Sequence, residues 1–366
     1  MNGNFRVGTL FGIPFYVNFS WFFVLALVTY TYSNGLGNQF PELGNLLPWG
    51  LGLITALLMF ASVIAHELGH SFVAIQQGID VKSITLFLFG GLASLDRESK
   101  TPGEAFGIAI AGPLVSLLLC GILTLIGIST GITGPFAAIL GLLASINLAL
   151  GLFNLIPGLP LDGGNILKSA VWKFTGNPYK GVIFAGRVGQ VFGVIAIISG
   201  LFGSFWNILI GFFLLQNAGQ FAQSATIQNE LSGLNAMDAI TPNSPIISEG
   251  LSLRDFANNY VIGQKNWQRF LVVDSEGKLQ GAIAVDDLKS IPTSQWPEVT
   301  VKSLIKPVEF SQTVKPEQNL LEVVTLLEQL KVQELPVIES NGVVVGILEK
   351  ASILRLLQQK AQANPA

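Results

Sequence analysis

The sequence predicts a polytopic α-helical membrane domain, with six spanning helices and a membrane-associated β-hairpin, followed by a soluble α/β domain. Three observations carry this expectation. Half of the 366 residues are hydrophobic and only 12% are charged, against about 25% charged in an average soluble domain; mean hydropathy is +0.56. The charge is also uneven, with 15 Lys, Arg, Asp and Glu in residues 1–228 and 28 in residues 229–366. Finally, charge-free runs reach from Val7 to Pro41, Leu43 to Ala65, Ala105 to Leu161 and Val188 to Asn229, and each holds at least one span of about 20 residues. These features exclude a purely soluble enzyme. A net charge of −3 argues against a nucleic-acid partner. The single cysteine, Cys120, allows no disulfide framework and no thiolate metal site, and no cleavable signal peptide is expected at the start of the chain.

Taken in order, the hydrophobic helices are read at about 9–33, 49–77, 104–129, 135–157, 183–200 and 203–224, with a shorter helix at 163–175. All eight basic residues of the first 228 (Arg6, Lys82, Arg97, Lys100, Lys168, Lys173, Lys180 and Arg187) fall on one side of the resulting topology. The positive-inside rule therefore puts both termini and the second domain in the cytoplasm. Between the second and third spans, Val81 to Leu95 is too short to cross a membrane and rich in β-formers. It reads as a hairpin turning at Gly90-Gly91 and dipping into a protein-lined region of the bilayer.

An internal repeat organises the last third of the chain. Ile240, Pro242, Gly277, Gly281 and Leu288 recur as Ile305, Pro307, Gly342, Gly346 and Ile353, each 65 residues later. Each copy reads as loop, helix, strand, Gly turn, strand and helix, so the two copies are expected to bury their faces against each other. The expected organisation is a membrane domain over 1–224, a short polar linker over 225–232 and a repeat pair over about 233–296 and 297–360.

The chemistry is concentrated in the chain's two histidines, within His66-Glu67-Leu68-Gly69-His70. Residues four apart share a helix face, so both imidazoles can reach one metal. Glu67 stands beside them, where a carboxylate can take a proton from a metal-bound water. A catalytic zinc usually has three protein ligands, and the remaining one must here be a carboxylate. Asp162, alone after 57 charge-free residues, is the candidate. Pro157 and Pro160 break the helix before it and let the chain turn back. The competing reading is that Asp162 only caps the helix beginning at Gly163.

The pair His66-Glu67-Leu68-Gly69-His70 and Asn154-x-x-Pro157-x-x-x-x-Asp162-Gly163 resembles the motifs of the site-2 protease family of intramembrane zinc metalloproteases, over roughly residues 1–224. The resemblance implies that His66, His70 and Asp162 hold zinc and that Glu67 is the general base. Asn154, Gly90 and Gly91 would face substrate or the developing oxyanion, although Asn154 could equally satisfy carbonyls freed at the proline break. Gly112-Pro113 also fits family positions. The hairpin offers an edge on which an unwound substrate can pair, or is a structural loop only. The family acts on single-span membrane proteins such as anti-sigma factors or membrane-tethered transcription regulators, in bacterial, archaeal or plastid-type membranes.

The repeat pair resembles a tandem cystathionine-β-synthase (CBS) module. In that family a Gly-x-x-Thr-x-x-Asp pattern often holds adenine nucleotide. The first copy reads Gly281-x-x-Ala284-x-x-Asp287 and the second Gly346-x-x-Glu349-x-x-Ser352, so Asp287 is the one nucleotide-binding candidate and homodimerisation or docking stands beside it. A transporter or channel gated by CBS domains, with an ion site at His66, Glu67, His70 and Asp162, is the rival class. It explains the intramembrane charges but neither the Glu next to the first His nor the hairpin.

Overall fold

The structure is a computed structural model that describes residues 3–87, 90–241, 244–262, 267–308 and 313–363. Leu88 and Phe89 of the expected hairpin, and Pro242 of the repeat, lie outside the described residues. The chain divides between Thr226 and Ile227 into two compact units.

The first unit opens with strands rather than a span. β1 (Asn4–Leu10) and β2 (Ile13–Asn18) form an antiparallel hairpin in which Leu10 pairs with Ile13. Its two-residue turn has both central residues at positive φ, Phe11 at 51° and Gly12 at 83°, the backbone that matches strand twist in a tight hairpin. Along β2, Ile13, Phe15 and Val17 are buried and alternate with half-buried neighbours, the period of a strand with one covered face. The expected helix start near residue 9 is therefore corrected: helix α1 runs Phe19–Gln39, with the Asn18 side chain accepting from the Ser20 amide at 3.0 Å. Residues 9–18 are apolar enough to extend a hydropathy run, which cannot tell an apolar hairpin from a helix.

β3 (Val81–Phe87) and β4 (Gly90–Leu95) complete a four-stranded sheet of order β1-β2-β3-β4. The β2–β3 pairing is parallel and the other two are antiparallel. The glycine pair is not the turn: Gly90 pairs with Phe87 and Gly91 with Leu86, so both open the edge strand β4.

Helix α2 (Leu47–Gln76) carries the histidines, and the sheet packs on it through Ile13, Phe15, Leu68 and Ile84. α3 (Pro102–Thr130) is started by Thr101, whose hydroxyl accepts from the Glu104 amide, and contains Pro113. α4 (Gly134–Asn154) is tied to α2 by a buried bond, Asn147 Nδ2 donating to Ser62 Oγ at 2.9 Å. The chain then breaks through Pro157 and Pro160 and restarts as α5 (Asp162–Thr175), followed by α6 (Pro178–Gly200) and α7 (Phe205–Ser232). Among the described residues, four helices are long and apolar enough to cross a membrane: α2, α3, α4 and α6. Residues 225–232, expected as a linker, continue α7 as helix.

In the second unit, β5 (Ile246–Ser248), β6 (Arg269–Val273) and β7 (Leu279–Ala284) make one sheet, and β8 (Glu334–Ile338) and β9 (Val344–Glu349) make another. The helices are α8 (Leu253–Phe256), α9 (Leu320–Gln329) and α10 (Lys350–Ala363). The 65-residue repeat shows as a reciprocal exchange. The Thr241 amide donates to Ile347 O at 2.8 Å and, one period on, the Lys306 amide donates to Ala282 O at 2.9 Å. Each crossing needs a glycine, because a Cβ on Gly346 would collide with Ile240, and one on Gly281 with Ile305. That is why Ile and Gly recur together in both copies.

Candidate metal centre

Helix periodicity puts His66 and His70 on the face of α2 turned toward α3, with ring centroids 5.0 Å apart. Asp162 arrives from the break before α5. The N-cap position of α5 belongs to Leu161, and no side chain caps it. The Asp162 carboxylate points instead at the histidines, with Oδ2 3.1 Å from His66 Nε2 and 3.3 Å from His70 Nε2. The two Nε2 atoms are 3.3 Å apart. Capping is thus not what this carboxylate does.

Three donor atoms on a triangle of 3.1, 3.3 and 3.3 Å match one face of a tetrahedron. Ligands about 2.0–2.1 Å from a zinc ion stand about 3.3 Å apart. The donor set, two imidazole nitrogens and one carboxylate oxygen, suits zinc and leaves a fourth position open. His66 is 3% exposed, with His70 and Asp162 half-buried around it. Of the His, Cys, Asp and Glu side chains among the described residues, these three form the one group placed to share a metal.

Glu67 sits beside this triangle, against the edge strand. Its carboxylate accepts from the Ala93 amide of β4. A Cβ on Gly91 would stand 2.9 Å from Glu67 Cδ and closer still to Cγ, so the second glycine of the pair makes room for this side chain. A cavity of 420 Å³ joins the parts: His66, Glu67, His70 and Asp162 line it, together with Gly90, Gly91 and Asn154. The Asn154 amide is turned partly to its own helix, with Nδ2 donating to Leu150 O at 3.1 Å.

Helix α3 contributes two polar partners that no motif in the sequence marks. Ser116 Oγ lies 2.9 Å from His66 Nδ1, and the Ile108 carbonyl lies 2.6 Å from His70 Nδ1. Between them Gly112 lies against the His70 ring, where a Cβ would stand 2.6 Å from Cε1. Polar atoms inside an apolar helix are the available signal for Ser116; a backbone carbonyl leaves none.

In the second unit, both oxygens of Asp287 have partners. Oδ2 accepts from the Ala284 amide at 2.9 Å and Oδ1 from the Lys306 ammonium at 2.5 Å. The Lys306 ammonium, with help from the Ala284 amide, holds this carboxyl below the usual carboxylate range.

Helices apolar enough for a membrane, converging on a His-Glu-x-x-His face and a carboxylate brought to it from a separate segment, fit a membrane metalloprotease by class. Comparison with known proteins gives the family. The model of Peptidase family M50 matches residues 54–133 and 132–198, and that of the CBS domain matches residues 301–359. A Synechocystis sp. protein named as a zinc metalloprotease is 58% identical over 369 residues, 99% of this chain and 97% of that protein. A zinc metalloprotease of Methanocaldococcus jannaschii is 29% identical over 98% of this chain and 97% of its own. Among solved structures, the site-2 protease from Methanocaldococcus jannaschii is 30% identical and covers 60% of this chain and 95% of its own, with a TM-score of 0.44. The chain belongs to peptidase family M50, the site-2 proteases, and is a zinc metalloprotease carrying a CBS domain. The transporter reading finds no support in these relatives, which carry the name of protease.

Proposed function

We propose that this chain is an intramembrane endopeptidase that cleaves the membrane segments of single-span proteins, with His66, His70 and Asp162 as the zinc ligands and Glu67 as the general base. The observation that carries the proposal is the 3.1, 3.3 and 3.3 Å triangle with Glu67 beside it, on one wall of a 420 Å³ cavity. Zinc held there supplies Lewis acidity to a scissile carbonyl and acidity to a water. The chain's own residues do the rest. Glu67 takes the proton at its carboxylate, from a position that the Ala93 amide and the Gly91 backbone hold in place. Asn154 lines the same cavity, and substrate binding is the role proposed for it.

A helical substrate hides its amides in i→i−4 bonds and must unwind to be cut. The edge strand β4 lies against Glu67 and lines the cavity through Gly90 and Gly91, so an extended substrate added to that edge has its backbone beside the general base. Two further spans complete the proposed frame. α1 has 21 residues and no charge, and α7 is free of charge from Phe205 to Asn229. Helices of about 20 residues match the roughly 30 Å hydrocarbon core. Six spans with the basic residues on one side give cytoplasmic termini and a cytoplasmic CBS unit. Anti-sigma factors and membrane-tethered transcription regulators are the substrate class that this frame serves.

The CBS unit is proposed as the regulator, and adenine nucleotide is its candidate ligand through Asp287. Because Lys306 and Ala284 already occupy both Asp287 oxygens, a nucleotide must compete with them or bind beside them. Calorimetry with adenine nucleotides on the full chain tests this, and an absence of binding at millimolar concentration rules the nucleotide out as its ligand.

The decisive experiment for the protease reading is Glu67→Gln. The amide cannot accept the water's proton, so proteolysis of a single-span substrate falls by about 10²–10⁴-fold while one zinc per chain stays bound. Substantial cleavage by a folded, zinc-loaded Glu67→Gln protein overturns the assigned mechanism.

A further inference from the structure

Each histidine of the triangle uses one ring nitrogen toward the metal position and offers the other to α3. His66 Nδ1 meets Ser116 Oγ at 2.9 Å, and His70 Nδ1 meets the Ile108 carbonyl at 2.6 Å. Ile108, Gly112 and Ser116 are spaced four apart and form one stripe along α3. The stripe is thus a carbonyl, a gap for the His70 ring, and a hydroxyl.

The two contacts differ in what they force. A carbonyl oxygen only accepts, so the Ile108 contact places the hydrogen on His70 Nδ1 and leaves Nε2 as a lone pair. A serine hydroxyl can donate or accept. If Ser116 donated to Nδ1, the proton of His66 would sit on Nε2 and point at the corner where His70 and Asp162 converge, where no metal could then be taken. With Ser116 accepting, both imidazoles present Nε2 lone pairs to the same point, and the hydroxyl proton is free to bond within its own helix, as serines in apolar helices do. No solvent is at hand to take over this task, because Ser116 is 0% and His66 3% exposed.

We propose that Ser116 is a positioning residue for the metal: its hydroxyl accepts from His66 Nδ1, fixes the tautomer in which Nε2 carries the lone pair, and holds the ring at its corner of the triangle. The proposal rests on the reading of His66 as a zinc ligand. Partners of this kind typically contribute 10–100-fold to metal affinity.

The test is zinc affinity of the full chain in detergent, measured by competition with a chromophoric chelator, beside thermal unfolding of the metal-free protein. Ser116→Ala is expected to weaken zinc binding by about 10–100-fold with little change in metal-free unfolding. Ser116→Thr, which keeps the hydroxyl, is expected to restore most of the affinity. Ser62→Ala is the control for loosened helix packing. Ser62 lies one turn before His66 and bonds Asn147, not the ring, so its loss is expected to leave zinc affinity near wild type. Two results overturn the proposal: Ser116→Ala binding zinc as tightly as wild type, or Ser62→Ala losing as much affinity as Ser116→Ala. A wild-type protein that binds no zinc, or a His66→Ala protein that binds it undiminished, is a separate failure and overturns the ligand assignment itself.

Discussion

Replacing Gly112 by alanine tests the geometry of the metal centre with a single methyl group. The Cβ would stand 2.6 Å from His70 Cε1 and 2.7 Å from Cδ2, with Nε2 nearer still. Ordinary contact begins near 3.4 Å, so the ring must retreat by roughly 0.8 Å or more, against a tolerance of about 0.2 Å for a metal–ligand distance. The retreat also stretches the 2.6 Å contact of Nδ1 with the Ile108 carbonyl. Moving α3 instead would pull Ser116 away from His66, so no displacement spares both histidines. A misplacement of about 1 Å costs on the order of 10²-fold in rate, and losing one of the three proposed ligands lowers metal retention as well. The assay is zinc content after dialysis against a weak chelator, with cleavage of a single-span substrate measured on the same sample. Gly121→Ala is the matched control, since a Cβ there meets nothing within 4 Å on the same helix. If Gly112→Ala keeps one zinc and wild-type cleavage, the position of His70 against α3 is not the functional one.

Three further outcomes follow from the same structure. Gly91→Ala pushes on Glu67 and not on the triangle, so zinc content should hold while cleavage falls by about 10²-fold or more; parallel loss of metal would show that β4 supports the ligands as well. In the CBS unit, Glu334 pairs directly across the strands with Glu349, and burial, together with that like charge, raises the Glu334 carboxyl above its usual value of 4.5. A group raised in this way contributes stability below its ordinary value and loses it as pH rises through the folded value. Glu334→Gln should therefore stabilise this unit at pH 7 by about 0.2–1 kcal/mol, with the gain shrinking as pH falls toward 4, as read by thermal unfolding across pH; a gain independent of pH would contradict the cause. Cysteines introduced at residues 34–48 and after 230 should label from opposite sides of the membrane, and labelling from one side refutes the six-span frame.

The clustering of His66, His70 and Asp162 was legible because their chemistry is written in residue types that apolar segments rarely carry. Two histidines four apart, and one aspartate after a long charge-free run, are costly at membrane depth unless they hold something together. The repeat was legible because Ile240 with Gly346, and Ile305 with Gly281, must change together where backbones cross. The opening hairpin was hidden because its residues are as apolar as a span. Its turn carries Phe11 at positive φ, a position where glycine or asparagine would have given the signal. The Gly90-Gly91 pair has the sequence signature of a turn but opens β4 instead, for a related reason. Glycine marks close approach as well as chain reversal, and Gly91 is there for Glu67. The Ile108 carbonyl could not have been found, since any residue supplies one.

Whether His66, His70 and Asp162 share one zinc ion is decided most directly by crystallographic anomalous diffraction, collected above and below the zinc edge on protein purified without chelator. The expected result is one peak in the membrane unit, about 2.0–2.2 Å from His66 Nε2, His70 Nε2 and the Asp162 carboxylate, with Glu67 adjacent and not a ligand. A zinc-replete protein whose peak lies elsewhere, or whose Asp162 carboxylate stands away from the ion, would contradict the shared site.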